Sequence, residues 1–126
     1  MKTVLDIGNC NADHSFIKVM LQTNFQAQLI RAHRLEDALE CLQQNEIDLI
    51  MINRLLDVDG SEGMNVFREL KESEFGKIPA MLITNYQDHQ NAAVAEGAVP
   101  GFGKASLSSV ETVNVIKDAL ATSASS

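Results

Sequence analysis

The stretch Ile47-Asp48-Leu49-Ile50-Met51-Ile52-Asn53 is a largely apolar run that closes on a polar residue. A second run of the same kind lies further along the chain, as Ile78-Pro79-Ala80-Met81-Leu82-Ile83-Thr84. Runs that are apolar on both faces are typical of central strands in a parallel sheet, because helices cover both faces of such a sheet. We therefore interpret these two runs as central strands of a parallel sheet.

The rest of the chain predicts three shorter strands and five helices. The strands are predicted over residues 3–7, 27–31 and 99–102. Apolar residues at helical spacing predict helices around Phe16, Leu35, Met64, Asn91 and Val110, the last of them capped by Ser106, Ser108 or Ser109. Five alternations of strand and helix imply right-handed crossovers and an α/β fold, with a doubly wound five-stranded parallel sheet and five helices. In sheets of this kind, sites form at the carboxyl ends of the strands.

Composition and charge limit the classes of function. The chain has 126 residues, 45% of them hydrophobic, which suits one domain with an ordinary core. A formal net charge of -7 argues against nucleic acid or an anionic membrane as partner, because either would need a basic surface. No apolar run approaches the roughly 20 residues of a membrane span, and no signal sequence is seen, so we expect a cytoplasmic protein. We expect one domain over residues 1–120 and a disordered tail over 121–126.

The chain shows no pattern typical of a metal, cofactor or catalytic site. The two cysteines form no metal-ligand or redox motif, and the histidines are scattered and expected to be solvated: His14, His33 and His89. The loop from Asp57 to Gly63 carries three carboxylates, but its spacing does not fit a calcium loop, so we interpret it as a solvated acidic turn. No Ser/His/Asp order, glycine-rich phosphate loop or zinc motif occurs. We therefore expect no enzyme activity, no metal and no cofactor.

The length, the element order and the residues at the strand ends resemble the receiver domain of two-component response regulators, which has flavodoxin-like topology. In that family an acidic pair after the first strand holds Mg²⁺, a phospho-accepting Asp ends the third strand, a Thr or Ser ends the fourth, and a Lys follows the fifth. Thr84 ends the predicted fourth strand here. Lys104 lies six places after the pair Gly97-Ala98, as in the family. The resemblance extends over essentially residues 1 to 120.

The acidic positions of the resemblance are occupied by neutral residues. The acidic pair falls on Gly8 and Asn9, and the phospho-acceptor position falls on Asn53. Receiver phosphorylation needs a carboxylate nucleophile and Mg²⁺, a hard cation that usually takes one or two carboxylates. An Asn amide is a poor nucleophile and carries no charge. The substitutions therefore predict a degenerate pseudo-receiver, in which Thr84 and Lys104 are the retained switch-site residues.

Two further departures concern the switch. Ala105 replaces the Pro that usually follows the Lys, and a cis bond at that place is mostly a proline property. The usual switch aromatic falls on Gly101, with Phe102 one place later. Thr84 could then simply bond the backbone, and Lys104 could pair with a nearby carboxylate or bond Asn53.

The resemblance implies a function in signal transduction by protein contact. We expect a protein partner, either a histidine kinase or a separate output protein. The face that the family uses for output and dimerisation, made by helix four, strand five and helix five, would include residues 85–94 and 102–110 here. Two alternatives stay open: a domain that responds to a small anion or metabolite in the neutralised pocket, and a phospho-accepting receiver with unusual chemistry, for instance at Asp57 or Asp59.

Overall fold

A computed structural model describes the backbone of residues 1–124 and the side chains of residues 1–121. The four strands of these residues lie parallel in one sheet: β1 (Thr3–Ile7), β2 (Gln28–Ala32), β3 (Leu49–Asn53) and β4 (Ala80–Ile83). The five α-helices are α1 (Asn11–Phe25), α2 (Leu35–Gln44), α3 (Gly63–Glu72), α4 (Gln87–Ala95) and α5 (Val110–Ala124), and a short 3₁₀ helix covers Lys104–Ser106.

The sheet order is β2-β1-β3-β4, so the chain crosses over from β2 past β1 to β3. All residues of β3 and β4 are buried, as the two apolar runs predict. One apolar cluster on one face of the sheet includes Val66, Phe67 and Leu70 of α3. The cluster on the other face includes Ile17 of α1 and Ile116 of α5. The doubly wound parallel sheet with five helices is therefore confirmed.

The predicted fifth strand over residues 99–102 is wrong, because the described residues form a sheet of four strands. The segment still lies beside β4: Val99 N donates to Ala80 O at 2.9 Å, and Thr84 N donates to Phe102 O at 3.0 Å. Between these two bonds the ladder is interrupted. Pro100 has no N–H to donate. The side chain of Gln90 fills the gap, since its Nε2 donates to Leu82 O at 2.8 Å and its Oε1 accepts from Gly101 N at 3.1 Å.

Two helix ends differ from the predictions, the start of α4 and the end of α5, whereas Ser109 is confirmed as the cap among the three serines predicted for α5. Helix α4 begins at Gln87, earlier than the prediction around Asn91. Ser109 caps α5, because Thr112 N donates to Ser109 Oγ at 3.2 Å. Helix α5 continues to Ala124, into the segment 121–126 that was expected to be a tail, and residues 125 and 126 lie outside the described residues. Within the described part of the chain, no helix has the length and apolar character to cross a membrane.

Candidate functional site at the carboxyl ends of the strands

The strand ends lie together at one edge of the sheet, as their parallel order requires. Asn53 ends β3, Thr84 follows β4, and Lys104 opens the 3₁₀ helix. These three residues line one open pocket of about 330 Å³. Gly8 follows β1, and its carbonyl oxygen accepts a hydrogen bond from the Asn53 side chain. The structure therefore brings together the positions that the sequence analysis selected.

The Asn53 side chain acts as a donor to the backbone on two sides. Its Nδ2 donates to Gly8 O at 3.1 Å and to Leu55 O at 2.8 Å, and the residue is only 9% exposed. Both hydrogens of the amide are used by these bonds. A carboxylate in the same conformation would place an anionic oxygen against two carbonyl oxygens, since an ionised Asp can only accept. The surroundings of residue 53 are thus arranged around an amide.

Gly8 lies in a part of backbone space that favours glycine, with φ +82°. Leu56, from the loop after β3, packs directly over it and is 3% exposed. A Cβ added at Gly8 would overlap Leu56 Cδ2 and would lie 3.1 Å from Leu56 Cα. An apolar side chain therefore occupies the space in which a side chain at position 8 would lie.

Magnesium does not fit the residues at these positions. Gly8 offers no side-chain ligand, and the Asn53 amide directs its NH₂ group at backbone carbonyls. Asn9 Oδ1 is buried and has no hydrogen-bond partner among the described residues, so it is one neutral oxygen that a cation could use. One amide oxygen is far from the six oxygens, carboxylates among them, that Mg²⁺ needs. Nor does any group of three or more His, Cys, Asp and Glu among the described residues suit a metal ion.

The sequence analysis did not identify Asp6, a buried carboxylate of β1 that contacts α1. Asp6 is fully buried in β1, where Asn9 Nδ2 donates to its Oδ1 at 2.5 Å and His14 Nδ1 lies 2.7 Å from its Oδ2. Burial raises the pKa of Asp6, although the hydrogen bonds of Asn9 and His14 and the charges of His14 and Arg31 act against this. The expectation that His14 is solvated is therefore wrong, because its side chain is 17% exposed and bonded to Asp6.

Lys104 and Thr84 each contact another part of the fold. Lys104 Nζ pairs with Asp13 Oδ2 of α1 at 2.6 Å, so the lysine bonds a nearby carboxylate rather than Asn53. Thr84 Oγ1 accepts from Tyr86 N at 3.3 Å, which ties the end of β4 to the start of α4. No cis peptide occurs in the described backbone, and the bond before Ala105 is therefore trans. The bonds that the sequence analysis left open for these two residues are thus assigned.

Two carboxylates of the loop after β3, Asp57 and Asp59, interact with nearby groups of the protein. Asp57 lies 3.8 Å from both the Arg31 guanidinium and the His33 ring. Asp59 Oδ1 accepts from Ser61 N at 2.9 Å within an exposed turn. The interpretation of this segment as an acidic turn agrees with these contacts.

No protein-family model and no curated protein matches this chain. Solved structures do match it over nearly its whole length. A response regulator from Thermotoga maritima is 22% identical with a TM-score of 0.78, over 96% of this chain and 98% of that one. The signal receiver domain of a DNA-binding response regulator from Colwellia psychrerythraea 34H is 22% identical with a TM-score of 0.78, over 94% and 97%. The beryllofluoride-activated NtrC4 receiver domain dimer is 21% identical with a TM-score of 0.78, over 98% and 99%. The chain therefore has the flavodoxin-like fold of response-regulator receiver domains.

Proposed function

We propose that this domain is a pseudo-receiver, which acts in cytoplasmic signal transduction by protein contact and without phosphorylation. It is a binding module rather than an enzyme. Its partner is a protein of a two-component pathway, either a histidine kinase or an output protein.

The observation that carries the proposal is the pair of hydrogen bonds from Asn53 to Gly8 O and Leu55 O. An amide that donates to both sides leaves no nucleophile at the phospho-acceptor position. The packing of Leu56 over Gly8 supports the same proposal, because it fills the position of the first acidic residue.

Phosphorylation at another carboxylate of the loop is the weaker candidate. Asp57 is held between Arg31 and His33, and Asp59 accepts a bond from the turn that contains it. Neither carboxylate ends a strand, so neither lies where Thr84 and Lys104 converge. These contacts favour structural roles for both residues.

Exposed apolar side chains in α4 and directly before it favour the face of α4 and α5 as the contact surface. Tyr86 is 62% exposed and Val94 is 42% exposed, although both are large hydrophobic residues. Exposed apolar groups on a rim of polar residues are typical of interaction sites. Tyr86 directly precedes α4, and the helix itself carries Val94 and the polar residues Gln87, Asp88 and Asn91. A second copy of the chain could use this face as well.

Two measurements test the proposal. In an amide NMR titration, we expect no saturating shifts around Asn53 that require Mg²⁺ and beryllofluoride together. Saturation by both reagents together would overturn the loss of phosphorylation. For the contact surface, capture of partners from cell extract should fall with Asp88→Lys and persist with Glu36→Lys, a matched reversal on α2. Equal capture by both variants would show that the contact surface lies elsewhere than on α4.

A further inference from the structure

Arg54 is a cation at the edge of the candidate site, and it has no anionic partner among the residues whose side chains the structure describes. It follows Asn53 directly, and its guanidinium lies 5.8 Å from the centre of the Tyr86 ring. Arg31 and Arg68 each pair with a carboxylate, but no carboxylate of the described residues lies within ion-pair distance of Arg54. A guanidinium has five donors in a planar fork, and no carboxylate among the described residues uses the donors of Arg54.

The pocket beside Arg54 is positive, although the chain as a whole is acidic. The chain has 17 acidic and 10 basic residues. The residues that line this pocket nevertheless include two cations and no carboxylate: Asn53, Arg54, Leu55, Ile83, Thr84, Asn85, Tyr86 and Lys104. Asp13 partly neutralises Lys104 from the side of α1. The volume of about 330 Å³ exceeds that of a small oxyanion and leaves room for the group that carries it.

We infer that this pocket binds an oxyanion, a carboxylate or a phosphate group, through the guanidinium of Arg54. Arg binds such groups with two parallel hydrogen bonds. The Arg54 guanidinium lies over the Tyr86 ring, 5.8 Å from its centre, and its planar fork is already arranged for two parallel hydrogen bonds. Asn85 Oδ1 accepts from Ala105 N at 2.9 Å, so the NH₂ end of this amide is the end available to the anion.

The retained switch-site residues have only a secondary part in this binding. Thr84 Oγ1 already accepts from Tyr86 N and lies 3.5 Å from His89 Nδ1. Lys104 Nζ is bonded to Asp13. Lys104 therefore adds positive field to the pocket, while Arg54 makes the direct contact. The inference rests on the proposed function in one respect, since position 53 must carry no phosphoryl group.

The anion could come from a free small molecule or from an acidic side chain of a partner protein. Amide NMR titrations of the full chain at constant ionic strength, with inorganic phosphate, acetate and a short Asp/Glu peptide, distinguish these sources. We expect saturating shifts at Arg54 and Asn85 with at least one probe. Saturation by the peptide alone would assign the site to a protein carboxylate, and saturation by phosphate or acetate would assign it to a free oxyanion.

Variants test the role of Arg54 directly. Arg54→Gln should weaken binding roughly tenfold or more, because a charge-assisted hydrogen bond is lost. Lys18→Ala removes the same unit of charge from the exposed side of α1 and should leave binding unchanged. Shifts that never saturate with any probe, or equal affinity in Arg54→Gln and wild type, would overturn the inference. Neither result depends on whether acetyl phosphate modifies the chain, so the proposed function is tested separately.

Discussion

Leu56 packs over Gly8 in such a way that any side chain at position 8 would overlap it. The two residues come from different loops, after β3 and after β1 respectively. The main chain reinforces this contact, since Asp57 N donates to Gly8 O at 3.0 Å. In a receiver that is phosphorylated, a carboxylate is expected at position 8. Here position 8 is a glycine, and the apolar side chain of Leu56 occupies the space that a carboxylate at this position would need.

Gly8→Ala should destabilise the fold by about 2–4 kcal/mol, because a left-handed residue other than glycine is strained and the core at Leu56 is overpacked. The matched control is Gly60→Ala. Gly60 has φ +72° and no atom within 4 Å of an added Cβ, so only the backbone strain of about 1 kcal/mol should appear. Urea unfolding measures both. Equal losses would show that Leu56 does not oppose a side chain at position 8.

A chain with Asp at positions 8, 9 and 53 should still fail to bind Mg²⁺. The three carboxylates restore the charge, but Leu56 blocks the first of them and Gly8 O faces the third. Adding Leu56→Ala to the triple variant should restore weak binding, at a stability cost of about 2–5 kcal/mol for the lost core side chain. Isothermal titration with Mg²⁺ compares the two variants. Tight binding by the triple variant alone would contradict this prediction.

Asp6 should make the fold less stable as the pH rises. Burial raises its pKa above the ordinary value of 3.8, so the folded chain favours the protonated carboxyl. The stability that Asp6 contributes is full below pH 3.8 and is lost as the pH rises through the raised pKa. The free energy of unfolding of wild type, relative to Asp6→Asn, should therefore fall as the pH rises above 3.8 and through the raised pKa.

Asp13 is the control for this prediction, because its pKa is shifted in the opposite direction to that of Asp6. Burial opposes its ionisation, but hydrogen bonds from Lys104 and Cys10 and the charge of Lys104 outweigh burial and lower its pKa. Its contribution is present above pH 3.8 and is lost as the pH falls through the lowered pKa. Asp13→Asn should thus differ from wild type least at low pH. A common pH slope for the two variants would argue against both assignments.

Gln90→Ala should open the gap between β4 and residues 99–102. Leu82 O and Gly101 N lose their shared partner, which should cost about 1–3 kcal/mol and speed hydrogen exchange at the Gly101 amide. Gln87→Ala removes an exposed bond to Asn91 and should change stability by less than about 0.5 kcal/mol. Unchanged exchange at Gly101 in Gln90→Ala would mean that the backbone closes the ladder by itself.

Local patterns in the sequence were sufficient for most of the fold. The apolar runs of β3 and β4 and the spacing of Leu35, Ala38 and Leu42 predict elements that the structure confirms, because periodicity is a property of neighbouring residues. Strand-end positions such as Asn53 and Thr84 followed from the same runs. Once these strands were aligned in parallel, their ends had to meet.

Features that depend on distant contacts could not be predicted in this way. The insertion of Gln90 beside Gly101, and the packing of Leu56 on Gly8, join residues from separate segments. The sequence does carry a signal at Asp6, since a carboxylate inside an otherwise apolar strand needs a partner when it is buried. His14, on the helix that follows this strand, is one such partner.

Intact-mass spectrometry after incubation with acetyl phosphate and Mg²⁺ tests the central claim most directly. The neutral amide at Asn53 and the packing of Leu56 on Gly8 predict an unchanged mass, under conditions in which a receiver with an intact acidic site gains one phosphoryl group. A stoichiometric gain of one phosphoryl group by the wild-type chain would contradict the claim, and fragmentation would then locate the carboxylate that accepts it.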